Sequence, residues 1–511
     1  MIKRPCVTRK LLLLILFIGS FFSELNAEVR SPTILSGNYR LSYDHLTLPE
    51  NEKMGLLGVN YLLDLNDYFY FGLGVYGAVY GQRGGFFTGG LDVGLRYPLW
   101  NRLGLDVGYF VGGGGGGSAP QGGGLMLRPQ IELNYRIASL QYGVGFSRVS
   151  FPNGDIASNQ LSASFRKQFK SFFLAGHEKI QADKFDAIGH RRIFSPQLLA
   201  YFPLEGTKGT GDVIHDARMD VIGIRWRENL TGQWWGDFAT GGSWGGESDG
   251  FAQVLLGVGR EIGISPGWSL LPGVQIGAAG GGRVDTRSGV ITRASLASLL
   301  RVRRNWHLIG EGGWITALDG EFSALFVSVA VAYEYETLRP RTDENFTVFN
   351  EGDVQWANFR IRAGIQRYAA YLSGNGRKNR ELAVRPVDQV HMKIDVFANS
   401  YVFFSGQALA AFDGGVGGYA VGLLGPGLKS PVVSGLSFTF EGLFGAAGGG
   451  GIAAGGGRVI QPMVGVNIQL MRSLHLELGA GYLKALDGDL EAWVLDAGLG
   501  FDFSVPHRNL H

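Results

Sequence analysis

"LHLELGAGY", residues 474–482, alternates without a break. Leu474, Leu476, Leu478, Ala480 and Tyr482 fall on one face of an extended chain; His475, Glu477, Gly479 and Gly481 fall on the other. "FRIRAGI" (359–365) sets Phe359, Ile361, Ala363 and Ile365 against Arg360, Arg362 and Gly364. "LSFTFEGLF" (436–444) opposes Leu436, Phe438, Phe440, Gly442 and Phe444 to Ser437, Thr439 and Glu441. A period of two is a β-strand with one apolar and one polar face. It does not say what covers the apolar face. A soluble sandwich buries it against a second sheet, whereas a membrane barrel turns it to lipid.

The pattern belongs to an internal repeat. "FAQVLLGVG" (251–259) matches "YAVGLLGPG" (419–427), and "WHLIGEGGWITALDGEF" from Trp306 matches "LHLELGAGYLKALDGDL" from Leu474, both at an offset of 168. Gly112, Gly280 and Gly448, each in a glycine run, also stand 168 apart. The first copy is more diverged; its "LQYGVGFSRVSFPNGDI" from Leu140 places Phe146 against Trp314 and Tyr482. A period this long makes each copy a substantial unit rather than a solenoid turn. Each copy reads as eight strands near the roughly 9–11 residues that a tilted strand needs to cross a bilayer.

Connections alternate between tight ("FANSY", "LMRSL", "VRRNW", "YRIAS") and glycine-rich ("FDGGVGG", "ALDGD", and the run "GAAGGGGIAAGGG", residues 445–457). Outer-membrane barrels join their strands by short periplasmic turns and longer outer loops. With the mature N-terminus on the periplasmic side, every tight turn falls there and every glycine loop outside. The glycine run joins the fifth and sixth strands of its unit, and it is expected to be a mobile, accessible loop.

Composition agrees with an unusual solvent. Glycine makes up 82 of 511 residues, charged residues only 18%, and hydrophobic residues an ordinary 45%. Lys3, Arg4, Arg9 and Lys10 precede the apolar run "LLLLILFIGSFF" and then "SELNA", the order of a secretory signal peptide over residues 1–27. The apolar run is too short to span a membrane. Its removal moves the formal charge from +2 to −1 and takes away the single cysteine, Cys6. Neither nucleic acid nor a cysteine-based metal site is expected as a partner or cofactor.

The last strand carries a resemblance. In "DAGLGFDF", Asp496, Gly498, Phe501 and Phe503 are spaced polar, x, Gly, x, x, aromatic, x, aromatic. This resembles the C-terminal assembly signal of bacterial outer-membrane β-barrel proteins. The second copy has "SVAVAYEY", with Ser328, Ala330, Tyr333 and Tyr335 in those slots; the first, near "SASFRKQF", keeps the pattern poorly. The family usually ends on the aromatic, whereas "SVPHRNLH" follows Phe503 here. The resemblance implies export to the outer membrane, contact with its lipid, and recognition by the barrel-insertion machinery.

The fold expected is all-β: a transmembrane antiparallel barrel of about twenty-four strands, in repeats over residues 28–170, 171–338 and 339–511. One large barrel is preferred to three small tandem ones, although no inserted segment looks large enough to plug so wide a lumen. The inward face of the third copy holds Arg360, Arg362, Lys393, Asp395, Glu441, His475, Glu477, Asp496 and Asp502, which could pair with each other or line a channel. His307 and His475 share a slot, which Ser139 takes in the first copy; they read as lining residues rather than as catalytic groups. "GLLGPGLKS" (422–430) lacks the lysine of a phosphate loop and reads as a strand, and "ALDG" with Asp319 or Asp487 reads as a turn rather than a cation loop. The function expected is a porin-like channel for small polar solutes, with a non-conducting structural or surface-display barrel as the alternative. An enzyme comes a distant third, and no cofactor is expected.

Overall fold

In the computed structural model the β-ladder returns to its starting strand three times. The structure describes residues 33–177, 184–209, 216–246, 248–340, 347–350, 354–369 and 385–508. The signal peptide at 1–27 lies outside the described residues.

The first ladder runs β1 (Thr33–Thr47), β2 (Lys53–Asp64), β3 (Phe69–Tyr80), β4 (Phe87–Pro98), β5 (Leu103–Gly115), β6 (Met126–Ile137), β7 (Leu140–Ser150) and β8 (Ala157–Ala175). Each strand pairs antiparallel with the next, and β8 closes onto β1 from Thr33↔Phe173 to Asp44↔Ser162.

The second runs β9 (Lys184–Pro203), β10 (Met219–Thr231), β11 (Trp234–Gly245), β12 (Ala252–Arg260) with its short continuation β13 (Ile262–Ser265), β14 (Trp268–Gly280), β15 (Val290–Arg303), β16 (Trp306–Ala317) and β17 (Ser323–Pro340). It closes through β17 and β9. The short β18 (Thr347–Asn350) adds to the start of β9.

The third runs β19 (Gln355–Tyr368), β20 (Val387–Phe397), β21 (Val402–Asp413), β22 (Ala420–Lys429), β23 (Leu436–Gly448), β24 (Arg458–Gln469), β25 (Leu474–Ala485) and β26 (Glu491–Arg508). It closes through β26 and β19, from Gln355↔His507 to Tyr368↔Val494.

The preference for one wide barrel is therefore corrected. Each eighth strand finds the first strand of its own copy, so the ladder shuts before the next copy begins. The physical reason lies in the lumen. Eight strands enclose a space that side chains can fill, whereas about twenty-four would leave a wide lumen and require a plug.

The alternating faces are inside out. On β1, Tyr39, Leu41 and Tyr43 are exposed, while Asn38, Arg40, Ser42 and Asp44 are buried. On β17, Leu325, Val327, Val329 and Val331 are each more than half exposed. A water-soluble protein could not leave so many large apolar side chains uncovered, at about 25 cal/mol per Å² of apolar surface. Lipid covers them.

The glycine runs are not the mobile loops expected. Ile452 and Ala454, inside the third run, are fully buried. The runs are where the barrels meet. A methyl group on Gly85 of the first barrel would lie 2.3 Å from Gly281 N of the second. One on Gly250 of the second would lie 2.7 Å from Gly449 N of the third, and one on Gly418 of the third 2.8 Å from Gly116 N of the first. Within each barrel, Gly116, Gly281 and Gly449 press in turn on Gly85, Gly250 and Gly418. Six glycines thus form a closed ring of backbone contacts with threefold pseudo-symmetry, and backbone hydrogen bonds such as Gly84 N to Arg287 O (2.7 Å) and Gly418 N to Gly114 O (3.1 Å) cross it.

The ring also corrects the alignment of the first copy. Gly115, not Gly112, is the partner of Gly280 and Gly448, because Gly115, Gly280 and Gly448 take the same place against Gly418, Gly85 and Gly250. At the seventh strand Phe151, Ala317 and Ala485 make the same turn hydrogen bond, so Arg148 rather than Phe146 matches Trp314 and Tyr482.

At the opposite end the last strands of the three barrels meet. β26 pairs briefly with β8 (Phe503↔Ala175) and with β17 (Glu336↔Arg508).

Candidate functional site: the lumens and their mouths

The nine inward residues expected in the third copy are all buried, none more than 8% exposed. They form a network. Arg360 Nε donates to Asp502 Oδ1 at 2.6 Å, and Arg360 Nη1 lies 3.2 Å from Glu477 Oε1. Arg362 Nη2 reaches Asp395 Oδ1 at 2.6 Å and Glu441 Oε1 at 2.5 Å. Lys393 Nζ donates to Asp496 Oδ2 at 2.8 Å. His475 Nε2 lies 2.9 Å from Asp502 Oδ2. His391, which the sequence reading did not single out, sits 3.2 Å from Asp496. Arg362 is on β19 and Glu441 on β23, four strands apart in a ring of eight, so this pair spans the full width of the lumen.

The other two lumens hold networks of the same kind, which the sequence reading missed. In the first, Arg40 pairs with Asp92, and Arg128 holds Asp44 through Nε (2.7 Å) and Nη2 (3.0 Å). Arg166 bridges Asp106 (2.7 Å) and Glu132 (2.6 Å). In the second, Arg225 reaches Asp237 through Nε (2.8 Å) and Glu311 through Nη1 (2.6 Å), and Arg293 joins Glu311 at 2.8 Å. The alternation "YRLSYD" at residues 39–44 was the available signal for the first of these.

At the glycine-run end each mouth is stoppered by apolar side chains from its loops. Phe86, Phe251 and Tyr419 come from the loops between third and fourth strands; Ala119, Val284 and Ile452 from the glycine runs; Ile156, Phe322 and Leu490 from the loops between seventh and eighth strands. They pack onto inward side chains such as Tyr76, Tyr201 and Leu409. Tyr201 has edge contacts with Phe251, Phe322 and Phe326, and the Tyr368 and Tyr419 hydroxyls are 2.9 Å apart.

The remaining candidates fall in place. His307 pairs with Glu334 at 2.9 Å, as His475 does with Asp502; the equivalent residue of the first copy is the buried Gln141, not Ser139, since Gln141↔Arg166, His307↔Ala332 and His475↔Gly500 are matching ladder pairs. Asp319 accepts from Ser288 Oγ at 2.6 Å, and Asp487 pairs with Arg458 at 2.6 Å. "GLLGPGLKS" lies on β22. Of the assembly-signal residues, Asp496 points inward and Gly498 pairs with Gly364. Phe501 and Phe503 stack on Phe173 of the first barrel at 5.9 and 5.4 Å.

No protein-family model matches the sequence, and no curated protein matches it. Among solved structures, the ferric enterobactin receptor PfeA of Pseudomonas aeruginosa is 10% identical over 92% of this chain and 81% of its own, with a TM-score of 0.26. OccK11 (OpdR) of the same organism is 12% identical over 93% and 96%, with a TM-score of 0.19. OccK10 (OpdN), also from that organism, is 10% identical over 92% and 99%, with a TM-score of 0.20. Overlaps this low carry nothing about the course of the chain or its activity. The chain's own build is what marks it: closed antiparallel barrels with apolar outsides, polar insides and short turns at one end are proteins of the bacterial outer membrane.

Proposed function

We propose that the protein is a non-conducting, structural component of the outer membrane, in which three filled barrels act as one rigid unit. The Arg362–Glu441 pair and its counterparts carry the reading, because they cross the lumens through which solute would have to pass. Moving a solute past them would part buried charges, each costing several kcal/mol to leave unpaired. The porin-like reading would need that step in at least one barrel. An enzymatic role finds no support in the paired histidines, whose carboxylate neighbours are themselves held by Arg191, Arg360 or Lys393. The tight turns belong in the periplasm and the stoppered mouths outside.

Planar-bilayer recording of the purified full chain tests the reading. No conductance steps are expected under ordinary voltages. Stable, ohmic steps that persist on repurification would overturn it and restore the porin-like channel.

A further inference from the structure

Charged side chains on the lipid side of a barrel need a reason. Arg192 on β9 shares a face with the exposed Phe194 and Leu198, Glu228 on β10 with Trp226, and Arg339 on β17 with Val329 and Val331, so all three face outward from the second barrel. Arg192 Nη2 lies 3.1 Å from Glu228 Oε2, and Arg339 Nη2 lies 2.5 Å from Glu228 Oε1. The arginine side chains remain 13% and 23% exposed. The guanidinium of Arg192 sits 5.0 Å from the centre of the Trp226 ring, and its buried Nε has no hydrogen-bond partner.

Across a cleft stand aromatic residues of the first barrel. Tyr39 and Tyr61 lie 4.7 and 4.9 Å from Phe169 between ring centres, and both feel the charges of Arg192 and Arg339. Tyr39, Tyr61 and Trp226 are each about two-fifths exposed, so the cleft is open. Its depth is fixed by the turn at residues 232–233, which begins four residues beyond Glu228, and by Trp234, Trp306 and Tyr333 at the same level. That is the interfacial girdle at the tight-turn end, where headgroups lie.

We propose that this cleft binds the phosphodiester of a glycerophospholipid from the leaflet on the tight-turn side. Two guanidiniums against one carboxylate leave the trio with a net charge of +1, which a single phosphodiester neutralises. Guanidinium groups match phosphate oxygens with paired N–H donors. The open aromatic faces give the acyl chains and glycerol a surface to lie on. The inference rests on the membrane-facing surface and not on whether the lumens conduct.

The test is native mass spectrometry of the full chain in a non-ionic detergent, titrated separately with phosphatidylglycerol, diacylglycerol and lipid A. Phosphatidylglycerol is expected to bind about tenfold more tightly than diacylglycerol. R192Q/R339Q should lose about that factor, while E228Q, which frees both guanidiniums, should bind phosphatidylglycerol more tightly than the wild type. Unchanged binding in R192Q/R339Q, weaker binding in E228Q, or a wild type that binds diacylglycerol equally well would each overturn the proposal. Preference for lipid A would overturn it too, by assigning the cleft to the other leaflet. The E228Q arm decides the matter even if the double variant does not fold.

Discussion

The junction between the barrels and the lumens inside them are both buried, yet the three copies build them in opposite ways. At the junction the same residue recurs at each matching position: Gly85, Gly250 and Gly418 on one side, Gly116, Gly281 and Gly449 on the other. In the lumens the set of charge-bearing strands changes from copy to copy, although single strands recur, the sixth with Arg128 and Arg293 and the second with Arg225 and Lys393. The buried cations are Arg40, Arg128 and Arg166 on β1, β6 and β8 of the first barrel, but Arg225, Arg227 and Arg293 on β10 and β15 of the second. In the third they are Arg360, Arg362 and Lys393 on β19 and β20. Where backbone touches backbone there is no room for a Cβ, and one residue type solves the problem. Where long side chains cross a lumen, a guanidinium can reach carboxylates on several strands, and many arrangements balance the charge. The glycine run is therefore the constrained part of the molecule and the charged lumen the adaptable part.

The largest effect tests that contrast. Gly85→Ala places its methyl 2.3 Å from Gly281 N at a φ of +83°, and Gly281→Ala places one 2.2 Å from Gly250 O at a φ of +87°. Each should cost about 3 kcal/mol from crowding and a left-handed backbone together. Because the two residues touch, their losses are coupled rather than summed, and the double variant should lose no less than either single one, read as the shift in urea-unfolding free energy in micelles. A second substitution that restores stability would show the ring to be as adaptable as the lumens.

The lumen should behave the other way. Asp44→Leu leaves Arg128 buried without its carboxylate, at a cost of about 3–5 kcal/mol. Adding Arg128→Met should bring stability back to within about 1–2 kcal/mol of the wild type, because two apolar side chains can replace a buried pair. Equal losses in the single and double variants, measured by the same unfolding, would mean the lumen charges are as tightly specified as the ring.

The stoppers lie between these extremes. Ile452→Val removes one methylene from a packed mouth and should cost about 1 kcal/mol. It should leave the bilayer silent, since the Arg362–Glu441 span below is untouched. Conductance in this variant would place the seal in the mouth and not in the ion pairs.

How much of this the sequence carried depends on range. The strands and their two faces follow from a local period, so inward residues of the third barrel such as Arg360, Arg362, His475 and Glu477 could be named from "FRIRAGI" and "LHLELGAGY" alone. Closure could not, because alternation does not say which strand is the eighth strand's partner. The stoppers sit in loops, where no period marks Phe86 or Ile452 as inward. The meaning of the glycines was hidden most deeply. What excludes a side chain at Gly448 is Gly250 N, 2.3 Å from where its methyl would be, in a different barrel 198 residues earlier in the chain.

The smallest expected effect on stability tests which end of the molecule faces out, and it also separates true loop tips from the ring. A glycine run looks like a place for an epitope tag, but a tag after Ile452 would force apart the stopper and the ring together, and it should abolish insertion. Gly206 and Gly232 are different. Both are exposed, and a methyl on either would meet nothing within 4 Å. Gly206 lies in the loop after β9, at the stoppered end; Gly232 lies in the tight turn between β10 and β11. Insertion at such tips should change stability by no more than about 0.5 kcal/mol. With tight turns in the periplasm, a tag after Gly206 labels on intact cells with an impermeant antibody, and one after Gly232 labels only once the outer membrane is opened. The reverse pattern would invert the molecule and move the phospholipid cleft to the outer leaflet, while leaving the ring and the lumens as they are. Efficient insertion and labelling of the Ile452 tag would be the more damaging result, because a ring that admits an added segment cannot be what holds three barrels together.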